Sequence, residues 1–225
     1  MECSTRPCLT PFKSQGNRSG RMGVCRPRLP PRPMPVLVVA SGNPHKVAEI
    51  ASMLALVNLE VRQQPEGLEI EETGTTYAAN ARLKAETVAR LTGQWALGDD
   101  SGLEVDELGG APGLYSARYA PTDAQRIARL LGELGDSPYR GGRFISAMAL
   151  ADPQGQTRLE GWGLCHGTIL SQPRGHGGGY DPIFWVREAG CTYAEMTPHL
   201  KARLGSRGKA ARELAPGLRQ LLGLD

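Results

Sequence analysis

Val36-Leu37-Val38-Val39-Ala40-Ser41-Gly42-Asn43-Pro44-His45-Lys46 decides the fold. Its continuous apolar run is that of a strand buried on both faces, as in a parallel sheet. Asn43 then falls where a helix N-cap belongs, with Pro44 at the first helical position. The helix continues through Val47, Ile50, Ala51 and Leu54, which share one face. A strand handing over to a helix N-terminus offers free amides and a positive dipole end, and Lys46 lies one turn in. That combination suits phosphate, although an Asn at a helix start also serves simply as its cap. The chain has no GxxxxGK[ST], so this is no Walker A loop.

A second stretch complements the first. Ala96-Leu97-Gly98-Asp99-Asp100-Ser101-Gly102 predicts a short buried strand that delivers two adjacent carboxylates into a glycine turn. Neighbouring side chains on a strand face apart, so one of the two is expected to enter a cleft. Magnesium takes hard oxygen ligands, one or two carboxylates with substrate phosphates completing its shell. The further carboxylate is expected from Glu71-Glu72 in the acidic loop Glu69–Thr76, a loop that could equally be a solvated turn.

Between and beyond these stretches, strands and helices alternate. Leu59–Arg62 predicts a strand, and Thr76 caps a helix through about Leu91. Leu103–Val105 and Gly109–Gly113 predict a turn-rich excursion, and Thr122-Asp123 cap a helix through Leu131. Arg143–Leu150 and Thr157–Gly167 predict antiparallel strands around the Asp152-Pro153-Gln154-Gly155 turn. The glycine-rich loop Gly175–Gly179 leads into Tyr180-Asp181-Pro182, where an aromatic face and a carboxylate could meet a nucleobase, or the tyrosine could be plain core. A basic stretch, Lys201, Arg203, Arg207 and Lys209, precedes a last helix from about Lys209 to Leu222. These elements predict an α/β fold with a mixed sheet.

Composition bounds the possibilities. At 225 residues and 40% hydrophobic content the chain can bury one sizeable core, whole or split into two lobes. No apolar run reaches the roughly 18 residues a membrane span needs. The net charge is +3, but residues 1–33 hold seven Arg/Lys against one Glu, which leaves the rest at −3. A mildly acidic body argues against a nucleic-acid footprint. Residues 1–33, Arg-rich and ending in Pro30-Pro31-Arg32-Pro33, show no hydrophobic period and no apolar signal region. They are expected to be a disordered basic leader, or to precede a true start at Met34, with a transit peptide as the lesser alternative. The folded domain is expected over 34–225. Three of five cysteines lie in the leader, and Cys165 and Cys191 are too few and too distant for a disulfide scaffold or zinc ribbon, so a cytoplasmic location fits. Cys165 beside His166 cannot act as a dyad on a strand, and the lone histidines have no metal-ligand spacing.

Taken in order, Ser41-Gly42-Asn43…Lys46, Glu71-Glu72-Thr73-Gly74, Asn80-Ala81…Lys84-Ala85, Asp99-Asp100-Ser101-Gly102-Leu103, Gly109-Gly110-Ala111-Pro112-Gly113…Tyr115-Ser116-Ala117-Arg118-Tyr119, Gly179-Tyr180-Asp181-Pro182-Ile183-Phe184 and Arg207-Gly208-Lys209-Ala210 resemble the Ham1/inosine triphosphatase family over residues 36 to about 222. The resemblance implies an elongated mixed sheet with flanking helices, in two lobes around a substrate cleft. It implies hydrolysis of non-standard purine triphosphates (ITP, dITP, XTP) to monophosphate and pyrophosphate, with Mg²⁺, by a homodimer. Carried over, Ser41, Gly42, Asn43, Pro44, His45 and Lys46 hold the triphosphate, and Glu72 and Asp100 bind Mg²⁺. Asp100 is also the base for the attacking water, and Ser101 contacts substrate. Gly178, Gly179, Tyr180, Asp181, Lys201, Ser206 and Arg207 line the nucleoside end. Neither nucleic acid nor membrane is an expected partner.

The chain departs from the family pattern in three places. The Phe of the family's Phe-Gly-Tyr-Asp block is missing from Gly178-Gly179-Tyr180-Asp181, and the loop there is one residue short. The His of Ser-His-Arg is replaced in Gly205-Ser206-Arg207, and the Glu before Asn80 is Ala79. Phosphate and metal chemistry are therefore expected to persist with relaxed base preference. The alternatives are a Maf-like pyrophosphatase with another base preference, or a non-hydrolytic nucleotide- or RNA-binding protein.

Overall fold

Strand β1 (Val36–Val39) lies between two parallel neighbours, β2 (Glu60–Gln63) and β3 (Trp95–Val105), in the computed structural model, which describes residues 34–224. From β3 outward the sheet turns antiparallel through β4 (Gly141–Ala151), β5 (Thr157–Ile169), β6 (Phe184–Val186) and β7 (Cys191–Thr192). The order is β2-β1-β3-β4-β5-β6-β7. The expectations for residues 1–33 lie outside the described residues.

Helices clothe both faces of the parallel end. Ile50 of α1 (Pro44–Met53) and Ala210, Leu214 and Leu218 of α5 (Ser206–Leu222) bury against Leu37, Val39, Leu97 and Met148. On the other face Ala81, Ala85, Val88 and Ala89 of α2 (Tyr77–Thr92) pack on Val38, Ala96, Ala147 and Ala149. Small residues on both sides of that contact bring α2 close to the sheet. A third core closes the far end, where Leu130 and Leu134 of α3 (Asp123–Leu134) meet Leu103, Ile183 and Phe184. Strands β3 and β4, 11 residues each, run through both ends and join the two lobes into one sheet. The expected α/β class with flanking helices is what the chain adopts.

Three local expectations are corrected. Asp99 and Asp100 do not end a short strand, because β3 pairs with β4 without a break from Ala96 to Val105. The glycines around the acids are sites of close approach rather than a turn. A Cβ on Gly98 would collide with the Ala81 carbonyl of α2. One on Gly102 would collide with the Gly113 carbonyl and lie 2.7 Å from the Tyr77 hydroxyl. Leu103–Val105 accordingly belongs to the strand. The last helix begins at Ser206 rather than Lys209, so Arg207 sits in its first turn. An additional helix, α4 (Pro198–Leu204), precedes it, capped by Thr197 with Pro198 at its first position. Among the described residues no helix is long and apolar enough to cross a membrane.

Candidate functional site

The site forms where β1 stops and β3 continues. The last bond between them is Ala40 N–H to the Leu97 carbonyl, at 2.8 Å. Beyond it the β3 edge faces a cleft at the carboxyl end of the parallel strands, the place where open α/β sheets take ligands. The expected alternation holds: Asp99 points to the α1/α5 face and Asp100 to the α2 face. Because the edge is open, both carboxylates reach partners around the cleft.

On the α2 side Asp100 is buried. Its Oδ2 accepts from Asn80 Nδ2 at 3.0 Å, and its Oδ1 lies 3.2 Å from Lys84 Nζ. The same ammonium is paired with Glu72, which also meets Arg118 at 3.2 Å. Glu71 beside it is exposed. Burial alone would raise the Glu72 carboxyl, but Lys84 and Arg118 bring it below the ordinary value. Burial likewise pulls the Lys84 ammonium down, and Asp100 and Glu72 outweigh that, holding it above the usual lysine value. Lys84 thus sits as a cation between the two carboxylates expected to bind metal. Among the described residues no three His, Cys, Asp or Glu side chains close into a ready metal site. Two hard carboxylates already gathered around a positive charge fit a divalent ion that takes its remaining ligands from phosphate and water.

On the other face Asp99 is buried at 2% exposure, with Lys46 Nζ 2.8 Å and Arg207 Nε 3.2 Å from its Oδ2. Burial raises its carboxyl, but Arg207 and Lys46 prevail and hold it at about 2. The two Nη atoms of Arg207 are engaged as well, Nη1 donating to Glu49 at 2.5 Å and Nη2 to Ser101 Oγ at 3.0 Å, and each carries a second N–H that these bonds do not use. Two cavities flank this network. One, of about 440 Å³, is lined by Ser41, Gly42, Lys46, Glu72, Lys84 and Asp99. The other, of about 110 Å³, is lined by Ser101, Phe144, Asp181, Lys201, Ser206 and Arg207 among others.

The phosphate end differs from expectation in one respect. The Asn43 side chain accepts from the amides of His45 at 2.9 Å and Lys46 at 3.4 Å, and Pro44 has no N–H. The α1 N-terminus is therefore capped, so its amides are not free. Lys46, the Ser41 hydroxyl, the Gly42 amide and the Asn43 carboxamide N–H₂ are left to meet an anion, with Ser41, Gly42 and Lys46 lining the larger cavity. Ser41 Oγ itself accepts the Asn43 amide at 3.2 Å.

At the other end Asp181 meets Lys201 at 2.6 Å. Burial pushes the Asp181 carboxyl above its usual range despite that pull. Ser206 is buried, its Oγ 2.9 Å from Ser146 Oγ and its amide donating to Tyr193 at 3.0 Å. Tyr180 does not present a stacking face. It is 3% exposed in the far core and donates its hydroxyl to the Ser116 carbonyl at 3.1 Å. Gly178 and Gly179 lie outside both cavities, and the Gly179 amide is anchored to Asp123 of α3 at 2.7 Å. Rings that do adjoin the smaller cavity are Phe144 and Tyr193, stacked with centroids 4.9 Å apart. Cys165 is buried and His166 exposed on opposite faces of β5, so no dyad forms.

The sequence assigns Asn80, Lys84 and Glu49 no role, and leaves Asp99 only as one of two adjacent acids of which one enters the cleft. Asn80 and Lys84 were visible as a four-residue helical spacing, which puts both on one face of α2 toward Asp100. Glu49 carried no signal, because its partner lies 158 residues away.

A cleft at the end of a parallel strand, with carboxylates on one wall and lysines and an arginine between them, defines an α/β protein equipped for a phosphorylated ligand and a cation. Residues 37–217 match the model of the Ham1 family. The chain is 50% identical over 193 residues to the dITP/XTP pyrophosphatase of Parasynechococcus marenigrum (strain WH8102), covering 85% of this chain and 99% of that protein. A HAM1 protein from Coxiella burnetii superposes with a TM-score of 0.75 at 38% identity, over 83% of this chain and all of that one. The Staphylococcus aureus Ham1 protein gives 0.73 at 33%, over 83% and 99%. The chain belongs to the Ham1 family.

Proposed function

We propose that this protein hydrolyses non-standard purine nucleoside triphosphates, ITP, dITP and XTP, to the monophosphate and pyrophosphate. The observation that carries the reading is the convergence of Glu72 and Asp100 on one cation beside the Lys46 cleft. Lys46, with Ser41 and Asn43, receives the triphosphate, while Asp100, oriented by Asn80, takes the proton of the attacking water. Glu72 and Asp100 would hold Mg²⁺, which would supply positive charge beside the phosphates. The name carried by the Parasynechococcus marenigrum relative supports the substrate class.

The smaller cavity receives the base. Donors aimed at a 6-oxo group disfavour adenine, whose amino group leaves them unpaired, a penalty that can reach about 10⁴-fold in discrimination. Arg207 and Lys201 are the donors here, but Ser206 is turned onto Ser146 and the loop at Gly178-Gly179 supplies no ring. Base preference is therefore relaxed relative to the family pattern. The homodimer implied by the family is supported by Trp162 and Leu164, adjacent on the outer face of β5 and 44% and 43% exposed; sedimentation equilibrium tests it. A cytoplasmic location is the reading that the free thiols Cys165 and Cys191 support.

The test is pyrophosphate release from dITP, XTP, GTP and ATP, each with Mg²⁺ and with EDTA. Metal-dependent release, strongest for dITP or XTP but measurable for GTP, is the expected result. Release from none of the four would overturn the reading, and equal release with EDTA would remove its metal component.

A further inference from the structure

Asp99 Oδ2 holds two cations that belong to opposite ends of the site. Lys46 reaches it from α1 at 2.8 Å and lines the larger cavity. Arg207 reaches it from α5 at 3.2 Å and lines the smaller one. The other carboxylate oxygen, Oδ1, is buried with no hydrogen-bond partner among the described residues. The carboxylate is therefore asymmetrically loaded, with both positive charges competing for one oxygen while the second waits. A buried carboxylate cannot give up one cation without tightening on the other, because an uncompensated charge there is costly.

We propose that Asp99 is a positioning residue that couples the two ends of the site, so that phosphate taking Lys46 changes how Asp99 holds Arg207. This rests on the reading that Lys46 meets the triphosphate. A bound polyphosphate draws Lys46 toward itself, and the Asp99 carboxylate, released from that pull, turns fully to Arg207. The guanidinium is thereby set in the orientation it presents to the base, helped by Ser101 at 3.0 Å. Correct phosphate docking is thus felt at the base pocket through one side chain. A second route is conceivable, since Glu49 also lies on α1 and grips Arg207 at 2.5 Å, and a shift of the whole helix would carry it along. The experiment separates the two.

The full chain is labelled with ¹⁵N-arginine, and the Arg207 Nε–H resonance is identified by its loss in Arg207→Lys. Inorganic tripolyphosphate, which has no base, is titrated in, and its binding is followed in parallel by calorimetry. The Arg207 resonance of the native chain is expected to move with saturation, to stay still in Asp99→Asn at matched occupancy, and to move still in Glu49→Gln. Tripolyphosphate that binds without moving the native resonance overturns the coupling and leaves the proposed function standing. Loss of the shift in Glu49→Gln also overturns it, since the signal then travels through α1; that variant decides the matter if Asp99→Asn does not fold. Absence of any tripolyphosphate binding removes the phosphate reading of Lys46 and the coupling with it.

Discussion

Asn80 and Asp100 are joined by a buried hydrogen bond, Nδ2 to Oδ2 at 3.0 Å, while the Asn80 carbonyl oxygen accepts the Gly74 amide at 2.8 Å. One carboxamide thus orients the proposed base and pins the acidic loop that carries Glu72. The amide is spent at both ends, so its orientation is fixed by the two bonds.

Replacing Asn80 by Leu removes both bonds while keeping an apolar body of similar size. Orienting partners of catalytic and metal-binding groups are typically worth about 10- to 100-fold in activity or metal affinity. The expected outcome is a kcat drop in that range with little change in KM, because no phosphate contact is lost. Steady-state kinetics on dITP check it, and a purely KM-based loss would contradict the orienting role.

Lys84 is the subject of the second prediction. Its ammonium separates Glu72 from Asp100, so Lys84→Met leaves two close carboxylates with their shared cation gone. Removing one partner of a buried pair costs about 3–5 kcal/mol. Mg²⁺ supplies replacement charge, so the deficit is expected to shrink when the metal is added. Urea unfolding of native and Lys84→Met protein, each in EDTA and in Mg²⁺, reads this directly. A deficit identical in both conditions would show that the metal does not bind at Glu72 and Asp100.

The sheet order and the site were not equally legible from sequence. Val36–Val39 with the Asn43-Pro44 cap announces a β-to-α unit through purely local chemistry, and the structure follows it to within a residue. Gly98 and Gly102 were misleading for a physical reason: a glycine needed for close approach looks the same as one needed for a turn. Only the positions of Ala81 and Gly113, fixed by tertiary packing, distinguish them. Tyr180 was ambiguous in the same way, since an aromatic beside a carboxylate serves a core or a ligand equally well. The Asp99–Lys46–Arg207–Glu49 network was invisible because it draws on three elements far apart in sequence, and long-range pairing leaves no local period to detect.

The close approach of α2 at Gly98 is testable by a single methyl group. Gly98→Ala drives a methyl group into the Ala81 carbonyl, which is backbone and cannot rotate away. Helix α2 must move outward and take Asn80 and Lys84 with it. Overpacking typically costs about 1–3 kcal/mol, and a loss at the top of that range, with kcat falling in parallel, is expected from denaturant unfolding and kinetics on the same sample. Had these residues formed a turn, alanine there would leave α2 in place and the rate unchanged.

The last prediction concerns acid stability. The Asp99 carboxyl is held at about 2 in the folded chain against 3.8 when exposed, since Arg207 and Lys46 prevail over burial. A carboxylate whose folded value is depressed stabilises the protein fully above the unfolded value, and loses that contribution as pH falls toward the folded one. The contribution is therefore intact at neutral pH and disappears between about pH 4 and pH 2. A depression of this size corresponds to about 2 kcal/mol. Asp99→Asn is expected to be less stable than the native chain at pH 7, because Arg207 and Lys46 lose their counter-charge. Its stability should fall less steeply below pH 4, so the two curves converge on acidification. Urea midpoints collected from pH 7 down to pH 2.5 give both curves. Parallel curves would mean that Asp99 is protonated at the same pH in the folded and unfolded chains, and that its two cations do not hold it.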